Sequence, residues 1–430
     1  MPSGPVTRPH ATSQSIFDGF IEHSWRSNAL RQREKGVEFV IGRRERAYLW
    51  NVEGTKRVID CGTGGGVHSL GHRHPDVVRA LKDAIDAGRD TGLWSFPNEP
   101  YLLLQDELVR LAPVRTLDRA VVTHSSTVSV DVAAMFAFRM TGRNRLLAYR
   151  HGYHGHSGFA AMVTGSAEEG VIGYYHLPSE HSDFLETYGD PAELEGKVTE
   201  DVAAVIVEPM QYETFAPAPS GYLQAVAAAC REKGALFIID ETRTGLGRTG
   251  RLWGIEHHGV APDMLITGKG LSGGMYPVSA LLMTRPIYDR CMNEHRYAYI
   301  SSLGGNEIAC LVARKVLELS SDAAFLRHTE DVSRWLRQMV VSTCRKHGDV
   351  FEPGTTWGCI ATLRVKDAAL APRLFSAAFE EGVLCHSVSV VEPTVLKLLP
   401  PLVIDEAVVA EIGAALDRAA ERVRRAATPA

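Results

Sequence analysis

The sequence predicts an α/β protein whose larger part is a mainly parallel sheet covered by helices. Short apolar runs that are typical of buried parallel strands alternate with segments of helical periodicity. The alternation is clearest over residues 202–240, where an amphipathic helix at 222–233 separates two apolar runs. A succession of strand, helix and strand is typical of parallel sheets with covering helices.

The composition is that of an ordinary globular protein, with 45% hydrophobic and 23% charged residues in a chain of 430. The net charge of −5 gives no indication of nucleic acid as a partner, and no apolar run is long enough to span a bilayer. The first residues lack the apolar core of a secretory signal. Seven cysteines without a C-x-x-C pattern indicate reduced thiols, so we expect a cytoplasmic protein.

The amino-terminal part is predicted to consist of short elements. Residues 1–15 are polar and proline-rich and are predicted to form a loose arm. Turn residues separate the segments that follow. The predicted elements are a helix at 24–33, strands at 37–41, 47–52 and 56–60, and helices at 77–87 and 101–111.

Residues 61–75 are rich in glycine and histidine. A dinucleotide site is rejected, because Val67 stands where the last glycine of G-x-G-x-x-G is needed. His68, His72 and His74 have no carboxylate or cysteine at ligand spacing, so no metal site is predicted.

A candidate anion site follows the apolar strand at 120–123. Ser126 and Thr127 stand directly before a predicted helix at 128–141. Backbone N–H groups and the positive end of the helix dipole attract anions at such a position. An ordinary helix cap is compatible with the same residues, since a capping hydroxyl can also bind phosphate.

The stretch from residue 235 to 282 contains the most informative pair of side chains. The buried run at 236–239 ends on Asp240, and the run at 264–267 leads to Lys269 between two glycines; a third run follows at 278–283. Parallel strands place such residues together at the carboxyl edge of a sheet, where α/β folds bind ligands. The pair suits pyridoxal phosphate (PLP), because a lysine amine holds its aldehyde as a Schiff base and a carboxylate keeps its ring nitrogen protonated.

The carboxyl-terminal part is predicted to be a smaller α+β domain. It contains short strands within 356–365 and a long helix at 406–425. We divide the chain into an amino-terminal segment at 1–70 that contributes to the small domain, a large cofactor-binding domain at 71–325 and a carboxyl-terminal small domain at 326–430.

The motifs around Asp240 and Lys269 resemble those of the class III, PLP-dependent aminotransferases of fold type I. This family includes ornithine, acetylornithine, 4-aminobutyrate and omega-amino-acid aminotransferases and glutamate-1-semialdehyde aminomutase. The matching motifs are Asp240-Glu241, T-G-L-G-R-T-G at 244–250, Pro262-Asp263 and Gly268-Lys269. The resemblance extends over almost the whole chain.

The resemblance implies an enzyme that moves an amino group between an amine or amino acid and a keto or aldehyde acceptor. It also implies a homodimer with active sites at the subunit interface. An aminomutase, racemase or decarboxylase of the same fold would share every motif, and a catalytically silent PLP-binding relative remains an alternative. A nucleotide-binding oxidoreductase is disfavoured by the absence of a dinucleotide motif.

Further cofactor contacts are implied by the resemblance. Tyr153 would lie flat against the ring, Thr242 on its opposite face, and Ser302 would reach the phosphate of the neighbouring subunit. Ser126 stands where the family has a glycine in the phosphate site. Arg243 replaces a common glutamine, and is expected either near the phenolic oxygen of the cofactor or at the protein surface.

The substrate contacts are implied in the same way. Trp94 and Phe96 would border the substrate channel, and His156 stands where acetylornithine-type enzymes carry an arginine. Glu213, five residues after Glu208, corresponds to a glutamate that pairs with an arginine and admits either an ω-amine or an α-amino acid; the arginine position is Lys397. The alternative is that both side chains are independent and solvated.

Overall fold

The computed structural model describes residues 12–90, 96–165, 170–295, 297–386 and 391–427. The strands are β1 Ile41–Glu45, β2 Tyr48–Asn51, β3 Arg57–Cys61, β4 Arg119–Thr123, β5 Arg145–Tyr149, β6 Ser182–Leu185, β7 Val202–Val207, β8 Leu236–Asp240, β9 Met264–Thr267, β10 Ser279–Met283, β11 Phe351–Trp357, β12 Ile360–Val365, β13 Val383–Cys385 and β14 Val395–Leu398. The helices are α1 Ser13–His23, α2 Arg26–Glu34, α3 Pro75–Asp86, α4 Glu99–Arg110, α5 Ser126–Thr141, α6 Gly158–Met162, α7 Gly170–Tyr175, α8 Pro191–Lys197, α9 Tyr222–Lys233, α10 Arg285–Tyr288, α11 Glu307–Ser320, α12 Ala323–Lys346, α13 Ala371–Glu380 and α14 Glu406–Ala427.

The largest sheet has seven strands among the described residues, in the order β4-β10-β9-β8-β7-β5-β6. All neighbours are parallel except β10, which is antiparallel to both β4 and β9. Every side chain of β7 is buried. Val205 and Val207 pack in the cluster that contains α9, whereas Ala204 and Ile206 pack in the cluster that contains α5. Both faces of the sheet are therefore covered, which explains why its strands are continuous apolar runs.

One of the two smaller sheets combines the two ends of the chain. β1, β2 and β3 form one sheet with β13, and β11, β12 and β14 form another. β13 runs parallel to β3, with Cys385 opposite Cys61. The residues after β13 therefore lie beside the glycine-rich turn after β3. The domain boundaries at 70 and 325 stay predictions.

Two predictions for the amino-terminal part need correction. The strand predicted at 37–41 begins only at Ile41, because Val37 packs against Phe379 and its N–H group bonds to the carbonyl of Gln32 rather than to a strand. The loose arm predicted at 1–15 ends earlier, because Thr12 caps α1 and its hydroxyl accepts a hydrogen bond from Ser15. Residues 1–11 lie outside the described part of the chain.

No helix in the described ranges is both long enough and apolar enough to cross a membrane.

Candidate active site

Asp240 and Lys269 lie at the ends of neighbouring parallel strands. Asp240 is the last residue of β8 and pairs with Ile266 of β9, and Lys269 begins a short 3-10 helix directly after β9. The backbone of Lys269 is left-handed, with φ of 41°, which is strained for a residue with a side chain. The structure therefore brings the two residues to the same edge of the sheet.

The carboxylate of Asp240 is buried and held by two donors. His154 Nδ1 donates to Oδ2 at 2.8 Å, and the N–H group of Thr242 donates to Oδ1 at 3.0 Å. Burial alone raises the pKa of Asp240, but the hydrogen bond and charge of His154 outweigh it and lower this pKa. Burial lowers the pKa of His154, but Asp240 reverses that effect and raises it. The two residues therefore form a buried ion pair.

The amine of Lys269 lies 5.7 Å from the centre of the Tyr153 ring. Burial, followed by the positive charge of Arg243, lowers the pKa of Lys269 to about 8. A lysine with a lowered pKa is neutral more often near physiological pH, and only the neutral amine attacks an aldehyde. The position and the pKa of Lys269 both suit covalent attachment of PLP.

The start of α5 lies between the loops that carry Lys269 and Tyr153. A Cβ atom on Gly268 would lie 2.6 Å from Ser126 Oγ, and one on Gly155 would lie 2.5 Å from Thr127 Oγ1. The helix cap is Ser125, whose hydroxyl accepts a hydrogen bond from the N–H of Val128 at 3.3 Å. Ser126 and Thr127 therefore occupy the first helical turn, close to both loops, where backbone N–H groups bind anions.

Arg243 is buried rather than at the surface. Its Nη2 atom lies 3.3 Å from Glu208 Oε1 and donates to the carbonyl of Met210 at 2.6 Å. Its Nη1 atom donates to the carbonyl of Tyr212 at 3.2 Å. Of the two expectations for Arg243, the structure excludes the surface position, and the guanidinium group points to Glu208.

Tyr153 and Thr242 provide an aromatic face and a free hydroxyl. The Tyr153 ring stacks on Tyr212 at 4.7 Å between ring centres. Thr242 Oγ1 is buried and has no hydrogen-bond partner among the described residues. Together with Lys269 and Asp240, these groups fit PLP, because they supply an amine, an anion, a ring surface and an unsatisfied buried hydroxyl.

Glu213 and Lys397 are buried and lie together. Lys397 Nζ, on β14, is 3.7 Å from Glu213 Oε2 and 4.6 Å from the centre of the Phe215 ring. Burial lowers the pKa of Lys397 to about 8, although the charge of Glu213 opposes this shift. The independent, solvated arrangement is therefore excluded.

The other predicted substrate and interface residues that the structure describes are exposed. His156 is exposed, with its ring 5.1 Å from that of Tyr153. Phe96 is 68% exposed, and Ser302 is exposed in the single chain. Trp94 lies outside the described residues.

Three site residues were missed by the sequence interpretation. His154 follows Tyr153 directly in the sequence, but the sequence does not show that its side chain pairs with Asp240. Gly65 and His386 lie close to Lys269, since a Cβ atom on Gly65 would be 3.3 Å from Lys269 Nζ and 3.6 Å from His386 Cε1. A histidine in an irregular segment gives no sequence signal for such a position.

Comparison with known proteins identifies the family. The model of the aminotransferase class-III family matches residues 30–420. An aminotransferase of Archaeoglobus fulgidus is 34% identical over 395 residues, which cover 91% of this chain and 90% of that protein. Acetylornithine aminotransferase of Rhodobacter capsulatus is 32% identical over 399 residues, covering 89% and 95% of the two chains.

The fold is also found in solved structures. Ornithine aminotransferase of Toxoplasma gondii superposes with a TM-score of 0.84 at 24% identity, covering 97% of both chains. The family match, the relatives and the amine–carboxylate site lead to the same conclusion. This chain belongs to the class-III aminotransferase family and is a PLP-dependent aminotransferase.

Proposed function

We propose that Lys269 and Asp240 carry out amino transfer from an amine or amino acid to a keto or aldehyde acceptor. The observation that carries this proposal is the position of the Lys269 amine beside the Tyr153 ring, at the same sheet edge as the buried Asp240–His154 pair. When bound, PLP supplies an aldehyde that takes up the amino group and a pyridine ring that accepts an electron pair.

Lys269 has two tasks in this proposal. Its neutral amine would bind the aldehyde of the cofactor and would be released when a substrate amine takes its place. The freed amine of Lys269 would then accept a proton from the substrate carbon, and as an ammonium group it would donate this proton again. The pKa of about 8 allows Lys269 both to accept and to release a proton near neutral pH.

Asp240 would hold the proton on the ring nitrogen. A carboxylate does this only if it stays ionised, and His154 maintains the charge by donating to Oδ2 at 2.8 Å. Thr242 fixes the other oxygen through its backbone N–H at 3.0 Å. His154 is thus a positioning residue that acts through Asp240.

Ser126, Thr127 and the first N–H groups of α5 would bind the phosphate, together with Ser302 of the partner subunit. We therefore infer a homodimer with shared active sites. We also infer a cytoplasmic location, which is supported by the seven cysteines, all of which are buried free thiols.

The Glu213–Lys397 pair is proposed as a gate for the substrate carboxylate. While Glu213 is paired with Lys397, the site would suit a substrate amine that has no carboxylate near Lys397. When Glu213 turns away, Lys397 would be able to bind a substrate carboxylate. Trp94, Phe96 and His156 are proposed to border the channel. The names of relatives that act on acetylornithine and succinylornithine support an amino-acid derivative as one substrate.

The half-reactions test the proposed function directly. A suitable donor alone should remove the visible absorbance of the bound cofactor, and a keto acid should restore it. Lys269→Ala should abolish both the borohydride-reducible attachment and turnover, whereas Lys82→Ala, at an exposed position of α3, should change neither. A Lys269→Ala protein with wild-type turnover would overturn the proposal.

A further inference from the structure

The imidazole of His386 has no role in the proposed reaction, although it lies next to the reactive amine. His386 follows β13 directly, and a Cβ atom on Gly62 would lie 3.6 Å from the Cα atom of His386. The ring centre of His386 is 5.9 Å from Phe215 and 6.2 Å from Tyr212. Its Nε2 atom is buried and has no hydrogen-bond partner among the described residues. Buried polar atoms without a partner are rare and call for an explanation.

The Cβ position of Gly65 lies close to both His386 and Lys269, and glycine leaves it empty. Gly65 has φ of +69°, in the left-handed region that favours glycine. A Cβ atom there would lie 3.3 Å from Lys269 Nζ and 3.6 Å from His386 Cε1. A side chain at this position would therefore project between the amine and the imidazole.

The charged groups around this position already have partners. Arg243 is paired with Glu208, with 3.3 Å between Nη2 and Oε1, and Lys397 is paired with Glu213. The imidazole itself is neutral, because burial and then the positive charges of Lys397, Arg243 and Lys269 lower the pKa of His386 to about 3, although Asp60 opposes this. A neutral imidazole nitrogen either donates or accepts a hydrogen bond and carries no net charge.

We propose that Gly65 and His386 form a specificity site that takes an uncharged hydrogen-bonding group of the substrate, a hydroxyl or an amide, at His386 Nε2. This inference rests on the proposed function, in which Lys269 is the reacting amine. Gly65 provides the room for the substituent, and His386 provides the one hydrogen bond. A substrate that carries a methyl group in the same place is disfavoured, because it leaves the buried Nε2 atom without a hydrogen bond.

The test compares two donors of equal length, an aminoalkanol and the corresponding alkylamine, over several chain lengths. For the holoenzyme we expect kcat/KM to favour the aminoalkanol by about tenfold at the matching length, the effect of one net hydrogen bond. His386→Phe keeps a ring but removes the polar nitrogen, so the ratio should fall to about one. His386→Gln should restore part of the preference, and His23→Phe, at an exposed histidine of α1, should leave it unchanged.

A structural role for His386 would slow both donors equally and leave their ratio as in the wild type. Calorimetry with the alkanol that lacks the amino group gives a second readout, since its Kd for the holoenzyme should rise in His386→Phe. A ratio near one in the wild type, or an unchanged ratio in His386→Phe, would overturn the inference. If neither these amines nor any amino acid reacts with the wild type, the proposed function itself is wrong; if the aminoalkanol and the alkylamine react equally, only the specificity site is wrong.

Discussion

At the scale of single residues, burial acts in opposite ways on the two groups that the reaction needs. Lys269 loses its proton more easily because burial penalises the ammonium ion. Burial also penalises the anion of Asp240, but the hydrogen bond and charge of His154 reverse the effect. Asp240 is therefore ionised near neutral pH, and Lys269 is neutral in a larger fraction of molecules than an ordinary lysine, as a ring-nitrogen partner and a nucleophilic amine require.

The pKa of about 8 predicts how cofactor uptake depends on pH. Below this pKa the amine is protonated and cannot attack, so capture of PLP by the apoenzyme should accelerate as pH rises and level off above about 8. Absorbance after rapid mixing measures the rate.

Arg243→Gln tests the role of Arg243 in this dependence of the PLP capture rate on pH. It removes a positive charge that lowers the pKa of Lys269 and leaves Glu208 without its partner. Both changes favour the ammonium form, so the profile should move to higher pH. An identical profile in the variant would show that Arg243 does not influence the amine.

Lys397→Arg tests the proposed gate. A planar, two-pronged guanidinium binds a carboxylate more specifically than the point charge of lysine. We expect kcat/KM for glutamate or 2-oxoglutarate to rise by about tenfold, with little change for an amine without a carboxylate. Equal kinetics with glutamate in both proteins would contradict the gate.

At the scale of elements, the site depends on close contact between the turn that follows β9, at Gly268 and Lys269, and the start of α5. Gly268 has an extended φ of −175°, which is a backbone conformation that any residue can adopt. Space is the constraint, because a Cβ atom would lie 2.6 Å from Ser126 Oγ and 2.9 Å from Ser279 Oγ. The glycine before Lys269 is therefore required by packing.

Gly268→Ala should push the β9 turn away from α5. We expect a loss of about 1–3 kcal/mol in the free energy of unfolding and weaker PLP binding, from overpacking alone. Gly196→Ala in α8 is the control, because nothing lies within 4 Å of its Cβ position. That substitution should be neutral or stabilise the helix by up to about 1 kcal/mol. Thermal unfolding and cofactor titration measure both effects, and equal stability of the two variants would contradict the packing argument.

At the scale of the whole molecule, the site is assembled from distant parts of the chain. β13 pairs with β3, which brings His386 to Gly65, and β14 carries Lys397 to Glu213. Arg248 joins the large sheet to the carboxyl-terminal part, since its fully buried guanidinium donates to the carbonyls of Cys359 and Pro400. Both ends of the chain thus contribute residues to the site.

Assembly provides the prediction at this scale. If Ser302 of the partner subunit binds the phosphate, then PLP and dimerisation stabilise each other by mass action. Adding PLP to the apoenzyme should lower the dimer dissociation constant in analytical ultracentrifugation, and Ser302→Ala should weaken this coupling. Ser342→Ala, at an exposed position of α12, should not. A monomer with full PLP occupancy at micromolar concentration would exclude the shared site.

The sequence determined the sheet, the family and the position of the reactive pair. β9 and α9 have the predicted bounds, because a strand covered on both faces is apolar throughout and an amphipathic helix repeats every 3.6 residues. Asp240 and Lys269 were identified because the ends of parallel strands meet at one edge. These features can be predicted from the local sequence alone, without knowing which distant residues pack against it.

Only the tertiary structure decided which polar side chains are paired. From the sequence, a surface position and a buried position were equally compatible with Arg243, and the structure shows that it is buried against Glu208. A solvated position was likewise compatible with Glu213, and the structure shows that it lies beside Lys397. Val37 looked like part of a strand until Phe379 explained its burial. The physical reason is common to all three: a side chain's partner depends on contacts between residues far apart in the chain, and no local periodicity records such contacts.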